Sequence, residues 1–226
     1  MDQAIIESAK AELHKLMVGH DIGGHGIDHM LKVAEHASNA LEYETLSPQK
    51  KLQIYLAALL HDADDDKIFK SENYENARQI LAKLFIDHDV KEDIIEMISL
   101  VSCSKNGDSV PREPYMVIPR DCDRLEAIGE IGIERCLEYS QHIGNPLHAD
   151  TTPRVYTREE LWKVATAERF ANYKRSASVI DHYYDKLLHI GQPDKLKSGN
   201  KYILMEAMRR NEVMIDYVLN YWRNVQ

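Results

Sequence analysis

Apolar positions recur along this chain with a period close to that of an α-helix, and no stretch alternates as a half-buried strand does. Residues 2–17 make an amphipathic opening helix. From Asp28 to about Tyr43, the apolar positions Met30, Val33, Ala34, Ala37 and Leu41 share a face. Ser47-Pro48 is a start signal, with a capping residue followed by proline in the first turn. Leu52, Tyr55, Leu56, Leu59 and Leu60 then trace an apolar face that ends at His61. Further helices are expected from Ser71 to about Phe85, over 91–103, and after Pro119, where Leu125, Ile128, Ile131 and Ile133 are apolar. Thr157 and Glu160 form a capping box that opens a long helix over 158–190. A last helix over 199–224 carries Leu204, Met208, Ile215, Val218 and Trp222 in register. The pattern predicts an all-α fold and one compact helical domain over residues 1–226.

Three segments interrupt the helical pattern. "GHDIGGHGI" holds four glycines and lets backbone approach another group closely. "SKNGDSVPREP" and "HIGNPLHADTTPRVY" carry the glycines and prolines of loops. No run reaches the roughly 20 apolar residues that span a bilayer. The acidic, amphipathic start lacks the plan of a signal peptide. Cys103, Cys122 and Cys136 form no C-x-x-C pair, which suits reduced thiols and a cytoplasmic location. With 28 basic against 37 acidic residues the net charge is −9, so a nucleic-acid duplex is not an expected partner. A small phosphorylated ligand remains compatible, because a bound dication and a few basic side chains can hold it locally.

Three stretches could carry chemistry. In "LAALLHDADDD", His61 and Asp62 stand where an apolar helix meets solvent, with Asp65 one turn on. Carboxylates at a helix C-terminus oppose its dipole, so their presence wants a reason. In "HGIDHMLKV", His25 and His29 are four apart and share a face if the helix begins early, with His36 seven further on. In "RDCDRLEAIG", Asp121 and Asp123 bracket the start of an apolar helix. Each has a bland alternative: a solvated helix end, a polar histidine on a helix flank, an N-cap aspartate. Two other His-Asp pairs exist. His20-Asp21 lies in the glycine-rich loop and His88-Asp89 joins two exposed helices, so both read as structural.

Taken in order, these stretches resemble the HD-domain metal-dependent phosphohydrolases, whose signature is H…HD…D. Here that order is His29, His61-Asp62 and Asp123. The chain is most similar to the bacterial YedJ/YpgQ-type branch, some members of which are nucleotide pyrophosphohydrolases. "HGIDHMLKV", "LAALLHDADDDK", "RDCDRLEAIGEIGI", "SVIDHYYDKLL" and "AMRRNEVM" resemble five segments of that branch in order, over most of the chain. The motif core would run over about 20–130, with the helices of 157–226 completing the site. Gly26 and Lys32 depart from the Asp and Arg of the branch, and 104–114 has no counterpart.

The resemblance implies one divalent ion held by His29, His61, Asp62 and Asp123. Two imidazoles and two carboxylates suit Mn²⁺, Mg²⁺, Fe²⁺, Co²⁺ or Ni²⁺, and the lack of thiolate argues against a structural zinc. It implies Asp65 as general acid/base beside the catalytic Asp62, with Asp121 orienting a ligand from behind. Lys67, His25, His182, Lys186 and Arg210 would contact phosphates. The expected reaction is hydrolysis of a nucleoside triphosphate to monophosphate and pyrophosphate. The alternatives are a 5′-nucleotidase or phosphodiesterase on the same ligands, and a nucleotide-sensing domain without turnover. Residues alone do not choose between a monomer and a homodimer.

Overall fold

The computed structural model describes residues 1–20, 26–66, 68–102, 109–111 and 113–225, and among these every regular element is helical. No helix among them is long and apolar enough to cross a membrane. The chain divides into two compact units. One comprises Met1–Asp123 with Lys197–Ile203, the other Arg124–Leu196 with Leu204–Gln226.

The first unit is built from α1 (Gln3–Met17), α2 (Ile27–Leu41), α3 (Pro48–Leu60), α4 (Glu75–Ala82) and α5 (His88–Ser99). Its centre is α3, whose residues from Leu52 through Leu60 are all buried. A helix that is apolar nearly all round must be covered all round, and α2, α5 and α1 pack against it. Ser47 caps α3 as its sequence suggests, its hydroxyl accepting from the Lys50 N–H at 3.3 Å, with Pro48 in the first turn. After α5, a 3₁₀ turn (Pro114–Val117) leads into α6 (Ile118–Glu126). Asn200 fastens the return segment 197–203 to this unit, donating to the Ala40 carbonyl at 2.9 Å and to Glu44 at 2.7 Å.

The second unit holds α7 (Gly129–His142), α8 (Arg158–Val164), α9 (Ala167–Ala171), α10 (Val179–His182), a π-helical turn (Tyr183–Leu187), α11 (Leu188–Ile190) and most of α12 (Lys201–Asn224). Its core includes Val179, Ile180, Tyr183, Tyr184, Leu188, Met214, Val218 and Trp222. The Trp222 indole donates to the Tyr184 hydroxyl at 2.8 Å, and that hydroxyl donates to the Pro153 carbonyl at 3.1 Å.

Three expected elements differ. The capping box of Thr157 and Glu160 is present, yet the helix it opens stops at Val164 rather than running to 190. Ala165 leaves helical geometry, and the hydroxyls of Thr166 and Ser178 then cap separate helices. Side-chain caps of this kind compete with continuation of a helix. The helix expected from Ser71 begins only at Glu75, because Asn73 and Tyr74 take left-handed backbone (φ 53° and 59°). The helix after Pro119 is two helices, broken at Gly129 (φ 75°). A Cβ there would lie 2.7 Å from Cγ of Arg210, so both the conformation and the approach require glycine.

Candidate metal centre

His61 closes α3 as its C-terminal cap residue. Its Nδ1 lies 2.8 Å from the Ala58 carbonyl, which can only accept, so Nδ1 carries a hydrogen and, in the neutral ring, Nε2 presents its lone pair. That nitrogen faces the Nε2 of His29, in the first turn of α2, at 3.3 Å. Asp123, in α6, brings Oδ1 to 3.2 Å from His29 Nε2 and 3.6 Å from His61 Nε2. Asp62 Oδ2 stands 3.7 Å and 3.5 Å from the same two nitrogens. The chain needs three helices and one turn to assemble this group, and all of its members lie in the first unit.

His29, His61 and Asp123 form a group that could hold a metal ion, with Asp62 beside the two histidines. Ligand atoms about 2.1 Å from a common centre stand about 3.0 Å apart at right angles and about 4.2 Å apart when opposite. The observed separations of 3.2 to 3.7 Å fall between these limits. One donor atom each from His29, His61 and Asp123 lies within 4.8 Å of the others. Two imidazoles and two carboxylates also balance a dication. The field of the site makes the same demand. Burial disfavours a proton on His61, but the charge of Asp62 and contact with Asp123 overcome it and raise its pKa to about 9. Burial likewise works against the Asp123 carboxylate, and hydrogen bonds to His29 and His61 hold it well below the usual range. The pocket between these groups favours positive charge.

The turn after α3 carries the remaining acids. The Ala63 N–H donates to the Leu60 carbonyl and the Asp65 N–H to that of Asp62, both at 3.1 Å. Asp65 is half-buried, and its carbonyl accepts from Ile68 and Phe69. Asp121 is fully buried and accepts from the Ser198 N–H at 2.8 Å, so it ties α6 to the segment 197–203. It sits inside the first turn of α6 and is not the N-cap that "RDCD" suggested. His36 serves the core, its Nδ1 2.7 Å from the Tyr202 hydroxyl. His88 and Asp89 are exposed at the start of α5.

The expected phosphate contacts divide. His25 and Lys67 lie outside the described residues. His182, Lys186 and Arg210 belong to the second unit. His182 and Lys186 share a neighbourhood, for the Tyr173 ring lies 5.5 Å from the His182 ring and 5.8 Å from Lys186 Nζ. Burial and then the charge of Lys186 push the His182 pKa down to about 4, against a smaller effect of Asp185. Arg210 is buried, donating to the Leu125 carbonyl at 2.6 Å, to Glu126 at 3.1 Å and to Glu206 at 2.7 Å. A hydrogen bond from Arg209, then contact with Arg210, draws the Glu206 pKa down to about 2.

The family model described as "HD domain" matches residues 26–128, the stretch that supplies all four of these ligand candidates. The chain is also 50% identical over 225 residues to an uncharacterized protein of Acanthamoeba polyphaga mimivirus, covering 92% of this chain and 93% of that one. The chain belongs to the HD-domain family. Its fold matches an HD-superfamily hydrolase from Bacillus thuringiensis with a TM-score of 0.69 at 20% identity, covering 98% of this chain and 100% of that one. It matches YpgQ of Bacillus subtilis, solved in complex with ADP, with a TM-score of 0.70 at 20% identity over 98% and 96% of the two chains.

Two features of the HD-type site escaped the sequence. One is the tie between Asp121 and Ser198, 77 residues away in the chain, which no local signal foretells. The other is Asp64, buried and hydrogen-bonded to the start of α4. One more carboxylate in an acidic run was its only trace.

Proposed function

We propose that this HD-domain protein hydrolyses nucleotides, splitting a nucleoside triphosphate into the monophosphate and pyrophosphate. The observation that carries the reading is the convergence of His29, His61 and Asp123 on one small volume that favours positive charge, with Asp62 beside the two histidines. A phosphoanhydride is polyanionic, and it binds at a site of this kind through a shared cation. The ADP complex of a protein with the same fold supports a nucleotide over other phosphate esters.

In this reading His29, His61, Asp62 and Asp123 hold one divalent ion. Such an ion, Mn²⁺ or Mg²⁺ among the choices, supplies acidity to water and polarises a phosphoryl oxygen. The Ala58 carbonyl fixes the His61 tautomer so that Nε2 stays a donor of electrons rather than of hydrogen. Asp65, at the end of the turn, takes and returns the proton of the attacking water as general acid/base. Asp121 holds α6, and with it Asp123, against the 197–203 segment. The resemblance alone assigns phosphate contacts to Lys67, His25, His182 and Lys186. With its pKa near 4, His182 is neutral at physiological pH and acts as a hydrogen-bond donor without charge. Arg210 contributes least, because Glu126 and Glu206 already balance its charge.

The test is a panel of nucleoside mono-, di- and triphosphates screened with several divalent ions, with products resolved by anion-exchange chromatography. Pyrophosphate and a nucleoside monophosphate are the expected products. Orthophosphate alone would move the reading to a nucleotidase, and no turnover with any ion would make the protein a nucleotide sensor.

A further inference from the structure

Four carboxylates follow His61 within five positions, and the second of them, Asp64, has no part in the chemistry above. Asp64 is 9% exposed. Its Oδ1 accepts from the Asn76 N–H and its Oδ2 from the Ala77 N–H, each at 2.9 Å. The Asn76 side chain answers by donating to the Ala63 carbonyl, also at 2.9 Å. The turn and the helix start therefore grip each other through three hydrogen bonds on adjacent residues.

The grip replaces a cap that α4 lacks. Asp2, Ser47, Thr157, Thr166 and Ser178 each cap the helix they immediately precede. The residue in that position before α4 is Tyr74, which makes no such bond and is left-handed like Asn73 before it. Two successive non-glycine residues in that region persist only where surrounding contacts impose them. A carboxylate at a helix N-terminus gains from both the free N–H groups and the dipole. Here that carboxylate comes from the metal-binding turn. The far end of the grip is braced as well. Arg78 of α4 donates to the Asn73 carbonyl at 3.1 Å and forks onto Glu92 of α5 at 2.5 and 3.0 Å. Because α5 also packs on α3, the chain closes a ring from α3 through the turn, α4 and α5 back to α3.

We propose that Asp64 is a positioning residue for the metal centre: by clamping the peptide between Ala63 and Asp64 to α4, it sets where Asp62 points. The inference rests on the metal-ligand reading above. Its test is calorimetric titration of Mn²⁺ into the metal-free, full-length protein, with a thermal melt for each variant. Asp64→Asn keeps the shape but leaves one N–H facing an amide instead of an oxygen. It is expected to weaken Mn²⁺ binding by about 10–100-fold, the effect usual for a group that orients a ligand. Asn76→Ala removes only the returning bond and should weaken Mn²⁺ by about threefold to tenfold on the same scale. Asp66→Asn, two residues beyond Asp64, should bind as wild type does. If Asp64→Asn melts lower yet binds Mn²⁺ with unchanged affinity, the carboxylate only stabilises α4 and the proposal is overturned. If that variant does not fold, unchanged affinity in Asn76→Ala overturns it instead. Asp123→Ala, run alongside, must lose Mn²⁺ binding; if it does not, the metal-ligand reading itself fails, and the clamp with it.

Discussion

His61 and His182 are the same side chain under the same pressure, and they answer in opposite directions. Burial is the largest influence on both, and it disfavours the charged ring. Around His61 stand Asp62 and Asp123, which reverse the effect and lift its pKa to about 9. Beside His182 stands Lys186, which reinforces burial and takes the pKa to about 4. The lesson is that burial alone does not make a histidine a metal ligand. The first place favours positive charge; the second favours a neutral ring.

The comparison can be broken hardest at Asp62. Asp62→Ala should cut turnover by on the order of 100-fold or more, beyond the usual effect of a supporting residue, while leaving the fold intact. A steady-state phosphate or pyrophosphate release assay reads this. Turnover within a factor of a few of wild type would detach the site from the reaction.

The pH dependence of stability is the next test, and the two histidines oppose each other in it. A raised folded pKa stabilises the metal-free protein fully below the unfolded value near 6.5. That contribution of His61 is lost as pH rises through about 9, on a scale of up to about 3 kcal/mol. Saturating Mn²⁺ should abolish this alkaline loss, because the ion takes the place of the proton. His182 has a depressed pKa, so its contribution is present above about 6.5 and is lost as pH falls through about 4. Its ring is half-buried, which reduces the effect to about 1–2 kcal/mol. Denaturant melts across this range check both limbs. An alkaline loss that survives Mn²⁺ would assign it to another group.

A smaller effect separates the two influences on His182. Lys186→Gln should raise its pKa part of the way toward 6.5, since burial remains, and NMR titration of the ring reads the change. Least of all should happen at the exposed His88 of the third His-Asp pair. His88→Ala is expected to move stability by less than about 0.5 kcal/mol and turnover not at all.

Much of the metal centre was legible because helical periodicity and residue chemistry coincide there. His61 ends a buried helix, His29 lies on the apolar stripe of α2, and Asp123 lies within α6. Their order along the chain matched a known signature, which the spacing within any one helix does not supply. The C-terminal half was read less well. Residues 158–190 carry helical residues nearly throughout, but the Thr166 and Ser178 hydroxyls start new helices and a π turn follows at Tyr183. Competition between a side-chain cap and one more helical hydrogen bond turns on about 1 kcal/mol, below what periodicity resolves. Asp64 was illegible for a different reason. Its partners, Asn76 and Ala77, meet it only once the chain has reversed through the left-handed pair Asn73 and Tyr74.

The central claim is that His29, His61, Asp62 and Asp123 hold a divalent ion. Equilibrium dialysis against Mn²⁺ followed by elemental analysis, on wild type and Asp123→Ala, tests it most directly. The account predicts about one ion per chain in wild type, as one mononuclear site requires, and close to none in the variant. Equal metal content in the two proteins would contradict it.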